Sequence, residues 1–312
     1  MRKILLMLFL IHLAIPKGKA WGFFGHKLAN ELAIYTLRGD LFAFYKSNLD
    51  FIRSHAVDAD KRRYLVEDEG YNHYIDVDYF EKQMPIDTLR LPLDSLYILY
   101  DSSLLKTSGF GPWNLTYKYY SLKKAFELKD QMRILKLSAD IGHYMSDLHV
   151  PLHTNSNYNG QKSNQLGIHG LWETRTLEKY HTSYWLHCKE AAYLYDLRSF
   201  IWDRVEESYI LSATVLQMDS LVKTELTDAQ EYSFEERNGK KYKTFSDKYV
   251  SQYHKLLDGM IEERLKASAY AIGSIWYTAW IDAGQPDLQF QSQIFEHKDT
   301  TVYREKMLGR QE

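Results

Sequence analysis

Residues 117–148 read YKYYSLKKAFELKDQMRILKLSADIGHYMSDL, and HVPLH follows at 149–153. Apolar residues recur through the stretch every three or four positions, the period of a helix with one buried face. Lys129-Asp130 interrupts the pattern, so the stretch predicts one long helix or two helices broken there. Near its end His143 and Asp147 are four apart, which places both on one helical face. Pro151 then ends the helix or turns the chain, and His153 follows just beyond the turn.

The same period appears on both sides. Residues 28–37 and 41–52 predict helices before it, and 190–226 and 246–280 predict long helices after it. The last stops ahead of Gly284 and Pro286, both helix-ending residues. No stretch alternates convincingly; residues 73–80 are the best short extended candidate. Residues 154–168 form a polar loop rich in Asn, Gln, Ser and Gly. Residues 228–243 are charged around Asn238-Gly239, a turn signal, and predict a small hairpin or a flexible insertion. No repeat, heptad or low-complexity tract is present. The expectation is an all-α, single multi-helix domain over 21–296, followed by a charged C-terminal tail at 297–312.

The chain has 312 residues, 45% of them apolar and 15% aromatic, enough for a packed core. Tyr (25) and Trp (7) are abundant, and their polar ends need partners when buried. Residues 1–20 have the layout of a secretory signal. Arg2 and Lys3 start it, an apolar run from Ile4 to Pro16 follows, and Gly18 and Ala20 are small residues ahead of a cleavage site. The run is too short for a membrane anchor, and no other stretch would span a bilayer. Cleavage after Ala20 makes Trp21 the first residue and implies export, to a periplasm or the extracellular space. The signal carries four of the 39 basic residues and no acidic ones. The remainder therefore has 39 − 4 = 35 basic against 41 acidic side chains, a net charge of −6. Such a chain does not hold nucleic acid by a basic surface. Cys188 is the only cysteine, so no intrachain disulfide forms, and stability rests on the core or on bound metal.

Four of the twelve histidines lie between 143 and 169. His143 and Asp147 form one His-x-x-x-acid pair, His169 and Glu173 a second, and His153 lies between them. One such pair is commonly no more than a helical ion pair. Two pairs flanking a third histidine put metal ligation level with that reading, since imidazole and carboxylate on one face are suited to zinc, and both readings stay open on the residues alone. Upstream, His26, Asp60 (in Asp58-Ala-Asp60-Lys-Arg-Arg63) and His73 (in His73-Tyr-Ile-Asp76) are further candidates, each open to a bland reading as cap, ion pair or core residue. Lys61 and Arg62 read as solvated surface charges, and Cys188 beside His187 as packing.

In this order the motifs are similar to those of the zinc-dependent phospholipase C and single-strand-specific nuclease superfamily. Trp21-Gly-x-x-Gly-His26 follows the signal. Then come Asp60-x-x-Arg63, His73-Tyr-Ile-Asp76, His143-x3-Asp147-x5-His153 with Pro-Leu-His, and His169-x3-Glu173. The resemblance covers 21–173 and implies an all-α fold around a trinuclear zinc cleft. It implies Asp60, His73, His143 and Asp147 on a first zinc, and His153, His169 and Glu173 on a second. Trp21, His26 and Asp147 are implied on a third, with Asp147 bridging. A free amino group and its own carbonyl form a five-membered chelate, and an α-amine with a pKa near ~8 yields its proton readily to a metal. Three zinc ions bring +6 against −3 from the three carboxylates, so the site is positive within an acidic protein.

The implied function is hydrolysis of phosphoric esters by a zinc-activated hydroxide, with Asp60 orienting the nucleophile and Arg63 contacting phosphate. Tyr74 and Asp76 occupy positions that flank a nucleobase in the nucleases; packing is the alternative. The substrate implied is single-stranded nucleic acid or a 3′-nucleotide, with no stable protein partner. Glu173 in place of aspartate is phospholipase-like, and Gln165-Leu-Gly-Ile-His169 lacks the nucleases' Asn-Leu-His. A phospholipid substrate is therefore the alternative, and a zinc-stabilised binding protein without turnover the second.

Overall fold

The computed structural model describes residues 22–80, 86–237 and 239–288. The signal segment 1–20, Trp21 and the tail 297–312 lie outside the described residues. Among the described residues the fold is all-α apart from one two-stranded hairpin.

The 117–148 stretch is two helices. Gly111–Glu127 begins with Pro112 in its first turn, where a missing N–H costs nothing. Gln131–Asp147 follows. Lys129 between them takes φ +53°, and the Asp130 carboxylate caps the second helix by accepting the Arg133 N–H at 3.0 Å. These helices pack against each other and against Met260–Asp282. Gly22–Ile34 packs across Gln131–Asp147, Leu49–His55 and Met260–Asp282.

Two glycines set how closely Gly22–Ile34 approaches its neighbours. A Cβ at Gly142 would lie 2.0 Å from Asn30 Oδ1, and one at Gly273 1.9 Å from Thr36 Oγ1. Elsewhere the core is large and aromatic. Tyr45 stacks on Trp276 at 4.5 Å, and both polar ends reach Ser138: Trp276 Nε1 donates to its carbonyl at 3.2 Å, and Tyr45 Oη bonds its hydroxyl at 2.7 Å.

Several expectations are corrected. Residues 246–280 are two helices, Asp247–Leu256 and Met260–Asp282. Asp258 and Gly259, at φ +45° and +80°, turn a left-handed corner between them. Residues 41–52 are split at Asn48 into Gly39–Ser47 and Leu49–His55. The helix expected from 190 begins only at Leu197, where Asp196 caps it through the Ser199 N–H. Residues 73–80 form no strand. They run through the 3₁₀ turns Glu69–His73 and Val77–Tyr79. Between the turns, the Ile75 N–H donates to His153 O at 3.0 Å and the Asp76 N–H to Ser108 O at 2.7 Å. These backbone groups are satisfied by loops rather than by a sheet neighbour. Of the two readings of 228–243, the hairpin is correct: Tyr232–Arg237 pairs antiparallel with Lys240–Phe245. The short helices Leu93–Leu99 and Ser102–Thr107 have no counterpart in the sequence reading.

Candidate metal centre

The site is built from the end of Gln131–Asp147. His143 Nε2 and Asp147 Oδ2 lie 3.2 Å apart on one face, as their spacing predicts. Other segments bring their donors to this pair. His73 Nδ1, at the end of its 3₁₀ turn, is 2.9 Å from Asp147 Oδ2 and 3.0 Å from His143 Nε2. His26 stacks on His143 at 3.8 Å and sets its Nε2 3.4 Å from Asp147 Oδ1. Asp60 Oδ1 lies 3.8 Å from His143 Nε2. Asp147 is thus the hub: Oδ2 faces His73 and His143, and Oδ1 faces His26 and, at 4.0 Å, His153.

A second group lies alongside. His169 Nε2 is 2.9 Å, and His153 Nε2 3.7 Å, from Glu173 Oε2. Glu173 sits in a π turn, Leu171–Thr176, a wider turn than an α-helix and a feature the sequence does not announce. His153 is fixed to the first group through the backbone, since its Nδ1 donates to His73 O at 2.7 Å.

Three donor sets suited to a metal ion result among the described residues: His26, Asp60 and His143; His73, His143 and Asp147; and His153, His169 and Glu173. The second and third fall within the first and second sets implied by the resemblance. His26 differs, since it groups with Asp60 and His143 as well as approaching Asp147. Every donor in these sets is buried, Asp60 the least at 6% exposure.

Buried polar groups normally find partners, and those that do not call for an explanation. Here His26 Nε2, His73 Nε2, Asp147 Oδ1, both His169 ring nitrogens and both Glu173 oxygens make no hydrogen bond. A tetrahedral ion with bonds of about 2.0–2.1 Å holds its donors roughly 3.3 Å apart. The 2.9–3.8 Å separations within the sets bracket that value. The residues fit metal ions.

Neighbouring groups fix the ring tautomers. His143 Nδ1 donates to Ala56 O at 2.8 Å, which leaves a lone pair on Nε2. The Ser146 hydroxyl donates to His143 O at 2.8 Å, so His26 Nδ1 must donate to that hydroxyl, leaving the lone pair of His26 on Nε2 as well. Ser146 and Ala56 carry no distinguishing sequence signal.

Charge preferences of the metal-free site follow from burial and mutual contact. Burial pushes His26 well below the usual histidine range and His73 down to about 3. For His143 burial acts the same way, but Asp147 and Asp60 outweigh it and raise the ring to about 9. Burial would raise Asp147, yet the surrounding histidines hold it well below the carboxylate range. Burial thus disfavours added protons at His26 and His73, while His143 favours one.

The remaining predicted residues fall as follows. Arg63 is 1% exposed, with Nη1 3.9 Å from Asp60 Oδ1. Asp76 is buried. Tyr74 is 1% exposed, and its hydroxyl donates to Thr107 O at 3.1 Å. A ring so enclosed packs the core; it does not present the open face that stacking on a base requires. His149 is buried beside the run without joining a donor set, its Nδ1 donating to Met145 O. Its carbonyl accepts Arg264 Nε at 3.1 Å, while the Ser208 hydroxyl donates to Leu148 O. Cys188 turns its thiol to Leu186 O, and burial raises it to about 11, consistent with packing. Arg62 is not a solvated charge: it joins Asp140, Glu69 and Tyr144 in a network one helical turn from the donors.

Among the described residues, no helix is long and apolar enough to cross a membrane. No family model matches the chain, and no curated protein matches it.

Proposed function

We propose that this chain is an exported zinc-dependent hydrolase of phosphoric esters, a phosphodiesterase of the single-strand nuclease or 3′-nucleotidase type carrying three zinc ions. The observation that carries the reading is the convergence of eight buried imidazole and carboxylate donors from positions 26 to 173 around Asp147, with several donor atoms lacking hydrogen bonds. A purely structural zinc site closes on four ligands, whereas catalytic sites keep positions for water and substrate. Three adjoining sets, two of them sharing His143, exceed what a structural staple needs.

Bound zinc supplies Lewis-acid charge for a phosphate ester and water activation at neutral pH. The chain's own residues do the rest. His143 and His153 hold protons on Nδ1 against backbone carbonyls, which keeps each Nε2 ready to ligate. Asp147 directs one oxygen to each side of the cluster and spaces its halves. Asp60 lies between His143 and Arg63, where it orients the attacking group, and Arg63 adds positive charge toward phosphate. The α-amino group of Trp21, freed by signal cleavage, completes the donors about His26. Gly22, the residue after Trp21, packs closely on Thr174, the neighbour of Glu173, where a Cβ would lie 2.9 Å from Oγ1, and this supports the reading.

The test is turnover by zinc-loaded protein beginning at Trp21, on single-stranded DNA and on phosphatidylcholine vesicles. Cleavage of DNA that EDTA abolishes is the expected result. Turnover of lipid alone would move the assignment to the phospholipase C type, which Glu173 favours. Retained metal with no turnover of either substrate would leave a zinc-stabilised binding protein.

A further inference from the structure

Arg62 Nη2 lies 2.9 Å from Asp140 Oδ1, 3.2 Å from Glu69 Oε1 and 3.0 Å from the Tyr144 hydroxyl. The Tyr144 hydroxyl donates to the same Glu69 oxygen. Lys118 Nζ closes the network on Asp140 Oδ2 at 2.8 Å. Two cations meet two carboxylates, so the network is neutral, and it is largely withdrawn from solvent, with Arg62 at 32% and Glu69 at 9% side-chain exposure. None of these five residues ligates in the donor sets.

Their positions in the chain are informative. Arg62 ends the helix Asp58–Arg62, which carries Asp60. Glu69 opens the 3₁₀ turn that ends at His73. Asp140 and Tyr144 belong to Gln131–Asp147, which carries His143 and Asp147. The network therefore joins the same three segments that the first metal group joins, one turn further out. The Tyr144 ring also packs edgewise against His73 at 5.2 Å and against His143 at 5.5 Å. The His153, His169 and Glu173 group lies on other segments that the network does not touch.

We propose that Arg62, Glu69, Tyr144 and Asp140 form a positioning clasp that preorganises Asp60, His73, His143 and Asp147 for metal and leaves the second group unaffected. The clasp holds three chain segments in register before an ion arrives, so ligation spends less of its free energy on ordering them. The inference rests on the metal reading above.

The experiment compares zinc retention in full-length mature protein and in Tyr144→Phe, Glu69→Gln and Glu69→Ala, with residual zinc counted by elemental analysis during a graded chelator challenge. The comparison is repeated in a His169→Ala background, which removes one donor of the second group. Tyr144→Phe deletes only the hydroxyl, and Glu69→Gln keeps an acceptor for it. The expected result is a loss of first-group zinc affinity of roughly 10- to 100-fold in Tyr144→Phe and Glu69→Ala, with Glu69→Gln between them and wild type, while second-group zinc is retained. Cobalt(II) in the first group should show an altered visible spectrum in the same variants. Equal retention in wild type and variants, or loss of all ions together, overturns the clasp alone. Wild-type protein that retains no zinc overturns the metal reading on which it rests.

Discussion

Gly142→Ala tests how the donors are brought together. The added methyl would sit 2.0 Å from Asn30 Oδ1, 2.5 Å from its Cγ and 2.6 Å from its Nδ2. Ordinary contact begins near 3.4 Å, so the shortfall is 3.4 − 2.0 = 1.4 Å. The whole amide group is overlapped, and turning it about its last bond relieves nothing. Asn30 must leave its rotamer, or the two helices must separate. The first outcome breaks the bond from Asn30 Nδ2 to His26 O, 3.0 Å long and buried, which costs about 1 kcal/mol. Overpacking costs about 1–3 kcal/mol. Replacing glycine within a helix returns about 1 kcal/mol. The net expectation is a destabilisation of roughly 1–3 kcal/mol, read from guanidinium unfolding of the metal-free protein.

The functional effect is sharper. His26 lies one turn before Asn30 and only 3.8 Å from the His143 ring, so a shift of about an ångström removes it from the cluster. Zinc affinity should fall by roughly 10- to 100-fold, as for loss of a supporting contact. Adding Asn30→Ala opens the space the methyl needs, and the double variant should be more stable than the sum of the single changes by about 1–2 kcal/mol. A Gly142→Ala protein within about 0.5 kcal/mol of wild type and with unchanged zinc retention would refute the close-approach account.

Three further outcomes are expected. Metal-free protein should lose stability on acidification: His26, His73 and His149 are all depressed by burial, so the unfolded chain takes up their protons first as pH falls below about 6.5. Each contributes a slope of about 1.4 kcal/mol per pH unit, roughly 4 together at most. His143, raised to about 9, acts oppositely by losing its contribution only as pH rises through that value, so unfolding midpoints at pH 7, 6 and 5 that do not move would contradict the burial assignments. Asp147→Asn, at the hub of both sides, should lower zinc affinity more than about 100-fold by dialysis, beyond the effect of any supporting residue; a variant that holds zinc like wild type would remove Asp147 from the ligand set. One extra residue ahead of Trp21 should release a single zinc and most activity, and unchanged metal content would exclude an N-terminal chelate.

Helix periodicity located the main helices because their buried faces are continuous, as in Gln131–Asp147. It missed corners set by a residue or two of backbone. Asp258-Gly259 interrupts no apolar period, so 246–280 reads as one helix although it is two. Residues 73–80 look like a strand because Ile75 and Val77 are buried, yet their amide partners come from His153, Ser108 and Ile75 itself rather than from a neighbouring strand. The histidine and carboxylate donors were legible because their chemistry is distinctive and their spacing local. The groups that orient them were not. Ser146 and the Ala56 carbonyl act through folded geometry alone, and Arg62 resembles any charged residue on a short helix.

Arg264 bears on when the centre can form. Its Nε holds His149 O and its Nη2 bonds the Ser208 hydroxyl, which itself seals Leu148 O, so the carbonyl end of the helix bearing His143 and Asp147 is closed by residues far downstream. A growing chain has its last side-chain donor at Glu173, and 264 − 173 = 91 more residues must follow before Arg264 exists. Until then the helix end lacks its cover, and Gly22–Ile34 lacks the Met260–Asp282 surface on which it packs. The full surroundings of the donor cluster therefore exist only once the helix Met260–Asp282, which supplies none of the donors in the three sets, has been made.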